Sequence, residues 1–73
     1  MVTRSDVEVV LPITLGQFVK VAGMAATGGD AKMMVTTGMV RLNGAVETRR
    51  GKKLAFGDVV TAGGTEAVVT ERG

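Results

Sequence analysis

"TGGDAKMMVTTGMVRLNG", residues 27–44, contains the change of hydrophobic period that decides the fold. Up to Gly38 the apolar residues Ala31, Met34 and Val35 recur at helical spacing. Thr27 to Asp30 supply capping oxygens and an acidic first turn, and Gly38 is a stop. Beyond it, Val40 and Leu42 alternate with Arg41 and lead into Asn43-Gly44, the dipeptide that best tolerates the two positive φ values of a tight hairpin turn. A helix running into a β-hairpin is therefore predicted.

Upstream, "DVEVVLP" at 6–12 alternates Val7, Val9 and Leu11 with Asp6 and Glu8, a half-buried strand stopped by Pro12. Thr14 can cap a helix over "LGQFVKVA", with Leu15, Phe18, Val19 and Ala22 on one face, Gln17 and Lys20 on the other, and Gly23 ending it. Downstream, Phe56-Gly57-Asp58 reads as a turn into a strand at Val59 to Thr61. Gly63-Gly64 reads as a turn into a last strand, "TEAVVTE". The pattern is α+β: two short helices packed on a small, mostly antiparallel sheet of four to five strands. No linker or repeat divides residues 1–73, so one domain is expected.

A chain of 73 residues buries only about 60% of the surface its unfolded form exposes, and its core is thin. With no cysteine and no histidine, it has neither disulfide nor thiolate metal site, and no side chain that titrates near neutral pH by default. The one serine, Ser5, precedes the first strand in a segment expected to be mobile, and the carboxylates are scattered, so no nucleophile or acid–base pair can be named. No catalytic residue, cofactor, metal or small-molecule substrate is expected. The opening stretch carries Arg4, Asp6 and Glu8 and lacks an apolar signal core, and no run of 18 apolar residues occurs. A cytoplasmic monomer with no membrane partner is the expectation.

The net charge of +2 conceals an asymmetry. Between Arg41 and Lys53 five cations (Arg41, Arg49, Arg50, Lys52, Lys53) face Glu47 alone, a local +4, while the rest of the chain sums to −2. Charge concentrated in this way projects a directed field over about 8–10 Å at ordinary salt.

Three stretches in order carry a family resemblance: "ITLGQFVKVAG", "GMAATGGDAKMMVTTGMVRLNG" and "ETRRGKKLAFGDVV". Together, over roughly residues 13–60, they resemble the S4 RNA-binding domain, and more narrowly the small bacterial proteins that consist of a stand-alone S4 domain. The resemblance implies the alpha-L fold and a non-catalytic module. It also implies an RNA surface formed by the two-helix loop and the adjoining strand region, with structured RNA, ribosomal or transfer, as the partner. Many members open the first helix with an Arg-Leu-Asp-like triplet, where Thr14-Leu15-Gly16 stands here, and the second with Ser-Arg, where Gly28-Gly29 stands. Contacts made by those arginines do not transfer; Lys32, Arg49 and Arg50 are what this chain offers instead.

The residues support such a surface in their own right. Arginine pairs with phosphate oxygens through two parallel hydrogen bonds and lysine adds a point charge, so "RRGKK" at 49–53 can grip a phosphate backbone, with Gly51 allowing close approach. A solvated loop serving solubility is the plainer alternative. In "TGGDAK", Thr27, Gly28 and Gly29 leave the amides at the helix start open to an anion, and Lys32, unfavourable against the helix dipole, points to an anionic partner. Asp30 competes for those amides, and the stretch is no P-loop. Lys20 extends the patch on the exposed face of the first helix; Gln17 there is expected to serve solubility. Phe18 and Phe56, the only aromatics, are both expected in the core, which leaves recognition to shape and phosphate geometry rather than base stacking. Met24, Met34 and Met39 are expected to fill core gaps, with Met33 exposed.

Two other classes compete. A protein-interaction module would turn the basic loop on an acidic partner. A ubiquitin-like carrier would need a free terminal glycine, and nine residues follow Gly63-Gly64.

Overall fold

The computed structural model describes residues 3–72. Its elements run β1 (Thr3–Val9), α1 (Leu15–Val21), α2 (Gly28–Thr36), β2 (Val40–Leu42), β3 (Ala45–Val46), β4 (Val59–Ala62) and β5 (Thr65–Glu71). The five strands form one sheet in the order β1-β5-β4-β2-β3. Only β1 lies parallel to its neighbour, pairing Arg4 with Glu66 and Val7 with Val69; the other ladders are antiparallel. The expected fold class, two short helices on a small, mostly antiparallel sheet, is what the chain adopts, with five strands and β1–β5 as the parallel pair.

Strand periodicity sorts the sheet into two faces. Val40, Val60, Ala67 and Val69 are buried beneath the helices, which contribute Leu15, Phe18, Val19, Ala31 and Val35 to the same core. The opposite face carries Arg4, Glu66, Thr61 and Arg41 in one cross-strand row. Phe18 and Leu15 are fully buried, each removing enough apolar surface from water to contribute about 2 kcal/mol or more.

The Asn43-Gly44 turn forms as expected, with φ of 52° and 87°, and it also holds the sheet end together. Asn43 donates its backbone N–H to the Val59 carbonyl at 2.7 Å and accepts the Val59 N–H on Oδ1 at 2.9 Å. Its Nδ2 donates to Asp58 Oδ1 at 3.2 Å, while Asp58 Oδ2 accepts the Ala55 N–H at 2.8 Å. One short side chain thus latches two turns distant in sequence, a stronger constraint than the turn alone imposes.

Three expectations need correction, and one competing class is excluded. The first strand spans Thr3–Val9, not 6–12, so Ser5 is a paired strand residue opposite Ala67 rather than part of a mobile lead. Met39 is exposed, since alternation about buried Val40 turns it to the solvent face with Arg41. Phe56 is also exposed, at 68%, because it occupies the outer corner of the turn before β4. Gly63-Gly64 is the hairpin turn between β4 and β5, and β5 sits inside the sheet between β1 and β4. A carrier processed at Gly64 would lose that internal strand, so the fold rules this mode of action out. Met33, as expected, is exposed. Among the described residues no helix is long and apolar enough to cross a membrane.

Candidate functional site

The first helix is capped twice over. Thr14, extended at φ −89° and ψ 161°, accepts the Gln17 N–H on its hydroxyl, and the Gln17 side chain accepts the Thr14 N–H, completing a capping box. The Leu15 and Gly16 amides, which such a box leaves unpaired, donate to the carbonyls of Lys52 at 2.8 Å and Arg50 at 3.0 Å. Leu54 N–H donates to the Ile13 carbonyl at 2.9 Å, and Thr14 and Lys53 form a β-bridge. The basic segment is therefore a backbone partner of the α1 N-terminus. Gly16 permits this approach: a Cβ there would come within 3.4 Å of both the Arg50 carbonyl oxygen and its Cβ.

The second helix starts differently. Thr27 Oγ1 accepts the Asp30 N–H at 3.0 Å and the Thr27 carbonyl accepts from Ala31. Among the described residues the Gly28 and Gly29 amides have no hydrogen-bond partner. Among the described residues the Asp30 carboxylate accepts no hydrogen bond, so it leaves those amides uncovered; the cap uses only its backbone N–H. A Cβ on Gly28 would meet nothing within 4 Å, so packing does not require glycine there and its effect is to keep the amides uncovered.

These two helix starts and the basic segment enclose a hollow of about 550 Å³. Lys20 from α1, Lys32 and Gly28 from α2, and Arg50 and Gly51 from the loop line it. Three cations thus converge on a concavity with no carboxylate among the described residues of its lining. Thr14, Gly16 and Gln17 complete the wall; of these, Gln17 was expected to serve solubility alone. Its Oε1 is committed to the capping box, which leaves its amide NH2 as a free donor. Its signal in sequence is the i,i+3 spacing to Lys20 on the exposed face of the helix.

The remaining candidates stand apart from the lining. Arg49 is held by Glu47, Nε to Oε2 at 3.0 Å and Nη2 to Oε1 at 3.1 Å, with the Arg49 N–H also donating to Oε2 at 3.2 Å. The guanidinium hydrogen bonds, with that backbone donor, lower the Glu47 carboxyl from 4.5 to about 2. It is ionised at every pH near neutrality, and its pairing raises the pKa of Arg49 in turn. A phosphate must therefore displace or share Glu47 to engage Arg49, whereas the Arg50 side chain forms no ion pair among the described residues. Lys52 and Lys53 are exposed beside the hollow. Thr27 is the α2 cap and Gly29 its second residue. Arg41 lies on the sheet face opposite the helices, donating Nη1–H to the Gly44 carbonyl at 3.3 Å, and does not line the hollow.

Comparison with known proteins agrees with this architecture. A family model described as "S4 domain" matches residues 8–70. A probable ribosome maturation protein of Bacillus subtilis, RlbA, is 48% identical over 48 residues, which cover 66% of this chain and 68% of that protein. A putative RNA-binding protein of Escherichia coli, YbcJ, is 35% identical over 52 residues, 71% of this chain and 74% of that protein. The solution structure of E. coli YbcJ, reported to reveal an alpha-L motif involved in RNA binding, superposes with a TM-score of 0.65 at 27% identity, covering 96% of this chain and 89% of that one.

Proposed function

Because this chain belongs to the S4 domain family, we propose that it is a non-catalytic RNA-binding module that holds the phosphate backbone of structured RNA in the hollow between its two helix starts. The observation that carries this reading is the convergence of Lys20, Lys32 and Arg50 on one concavity that no carboxylate among the described residues lines. Arg50 offers a planar fork suited to two phosphate oxygens, and Lys20 and Lys32 supply point charge on either side. The uncovered Gly28 and Gly29 amides, at the positive end of α2, add donors that need no side chain to move. Lys52 and Lys53 extend the field along the RNA. Such contacts fix register on a folded backbone without reading sequence, which suits a structured RNA more than a particular single-stranded sequence. Ribosomal RNA is the favoured partner, supported by the relative described as a ribosome maturation protein. With no histidine or cysteine in the chain, the module is assigned no chemistry, and it acts as a cytoplasmic monomer of one domain.

Salt tests this reading. Neutralising three to five phosphates gives a log-affinity against log-salt slope of about −2 to −4. Removing Lys32 alone should flatten that slope by about 1. A slope near zero for a short folded RNA, measured by fluorescence anisotropy across a salt series, would overturn the proposal.

A further inference from the structure

Resting on the RNA-binding reading, we infer that Phe56 is a base-stacking contact that takes one unpaired nucleotide flanking the structured element held in the hollow. Ala55 to Asp58 form a β-turn closed by the Asp58 N–H donating to the Ala55 carbonyl at 3.1 Å. Gly57 has φ +89° and Phe56 has no positive φ, which makes the turn type II with Phe56 at its first corner. That corner accepts most residues, proline best, so turn geometry does not call for a phenyl ring. The core does not call for it either, because the ring is 68% exposed while the other aromatic, Phe18, is fully buried. A large apolar ring held in water is therefore left without a structural reason.

Its mounting is rigid. Besides the turn's own bond, Asp58 Oδ2 accepts the Ala55 N–H and Oδ1 accepts from Asn43 Nδ2. The Gly57 N–H donates to the Val69 carbonyl at 2.8 Å, and the Val69 N–H returns to the Asp58 carbonyl at 2.8 Å. A ring fixed on a clamped corner loses little freedom on binding, which favours a flat contact. Its setting is cationic: Phe56 follows exposed Lys52 and Lys53 with only buried Leu54 and exposed Ala55 between, so its backbone lies within about 10 Å of Lys53 by chain length alone. An exposed ring at the end of a basic track is the arrangement that stacks an unpaired base while the cations hold the adjoining phosphates.

Two RNAs of equal length and charge separate the possibilities: a hairpin paired to its ends, and a hairpin of shorter stem with a short unpaired extension. Phe56→Ala is expected to weaken the extended RNA about tenfold, leave the closed hairpin unchanged, and keep the salt slope, since no charge is removed. Phe56→Tyr should retain binding and Phe56→Leu should not, because the contact needs a flat π face rather than apolar bulk. Phe56→Trp should show emission quenching with the extended RNA only. Phe56→Ala binding the extended RNA as tightly as the unaltered protein does, or full rescue by Phe56→Leu, overturns the inference while leaving the hollow as the RNA site. That result would point to Phe56 as a contact for a protein instead. If the unaltered protein binds neither RNA, the parent proposal and this one fall together.

Discussion

Replacing Lys32 and Arg50 together by alanine lowers affinity for structured RNA by about 30- to 150-fold. A hydrogen bond to a charged group is worth about 1.5–3 kcal/mol when well formed. Both side chains are solvent-exposed in the free protein, so screening holds each near the bottom of that range or just below it. Two such losses come to about 2–3 kcal/mol, which is the stated fold-change. The expected effect of Arg49→Ala is smaller, because Arg49 already spends its guanidinium on Glu47. Setting the single variant Arg50→Ala beside Arg49→Ala separates charge in the right place from charge in general, since each removes one arginine from the same loop. Because neither Lys32 nor Arg50 contributes a buried side chain, circular dichroism and the thermal midpoint should be unchanged in the double variant. Titration by anisotropy at fixed salt reads the affinity. An equal or larger loss from Arg49→Ala would mean that the hollow is not where the phosphates sit.

Phe18→Ala is expected to destabilise the fold by about 3–5 kcal/mol. The ring is fully buried and belongs to the core in which Leu15 and Val19 of α1 meet Val35 of α2 and Val40, Val60 and Val69 of the sheet. Removing it leaves a cavity under the helix pair, whose backbone is tied at the α1 N-terminus to the basic loop and cannot easily collapse into the space. At about 0.05–0.15 kcal/mol per residue, a chain of 73 residues has about 4–11 kcal/mol of total stability. The variant should thus be partly unfolded at ambient temperature or unfold at far lower urea than the parent. Equilibrium urea denaturation followed by circular dichroism measures this; a shift worth less than about 1 kcal/mol would contradict the assignment of Phe18 to the centre of the core. The contrast with Phe56→Ala, which should leave stability intact, follows from burial alone.

The helix over Gly28–Thr36 and the hairpin after it were legible because their signals are local: a threonine cap, apolar spacing of three and four, and an Asn-Gly pair. The sheet order was not, because the parallel pairing of β1 with β5 joins residues some sixty positions apart and leaves no mark on either strand. The members of the hollow were visible one by one as cations and glycines. Their meeting depends on backbone bonds from Leu15 and Gly16 to the carbonyls of Lys52 and Arg50, and a carbonyl carries no side-chain signature. Arg49 and Arg50 look equivalent as letters, and only the geometry shows that Glu47 occupies one and not the other. For Phe56, its position before a Gly-Asp turn suggests the core, but the first corner of that turn faces solvent here.

The claim on which the account depends is that RNA seats between the two helix starts and the basic loop bonded to the first of them. Backbone amide shifts of the ¹⁵N-labelled protein, followed as a short RNA hairpin is added, test it most directly. The account predicts that Gly28, Gly29, Lys32, Arg50 and Gly51 move together and saturate at one affinity. Shifts confined to the opposite sheet face, around Arg4, Thr61 and Glu66, with those five amides still, would contradict it.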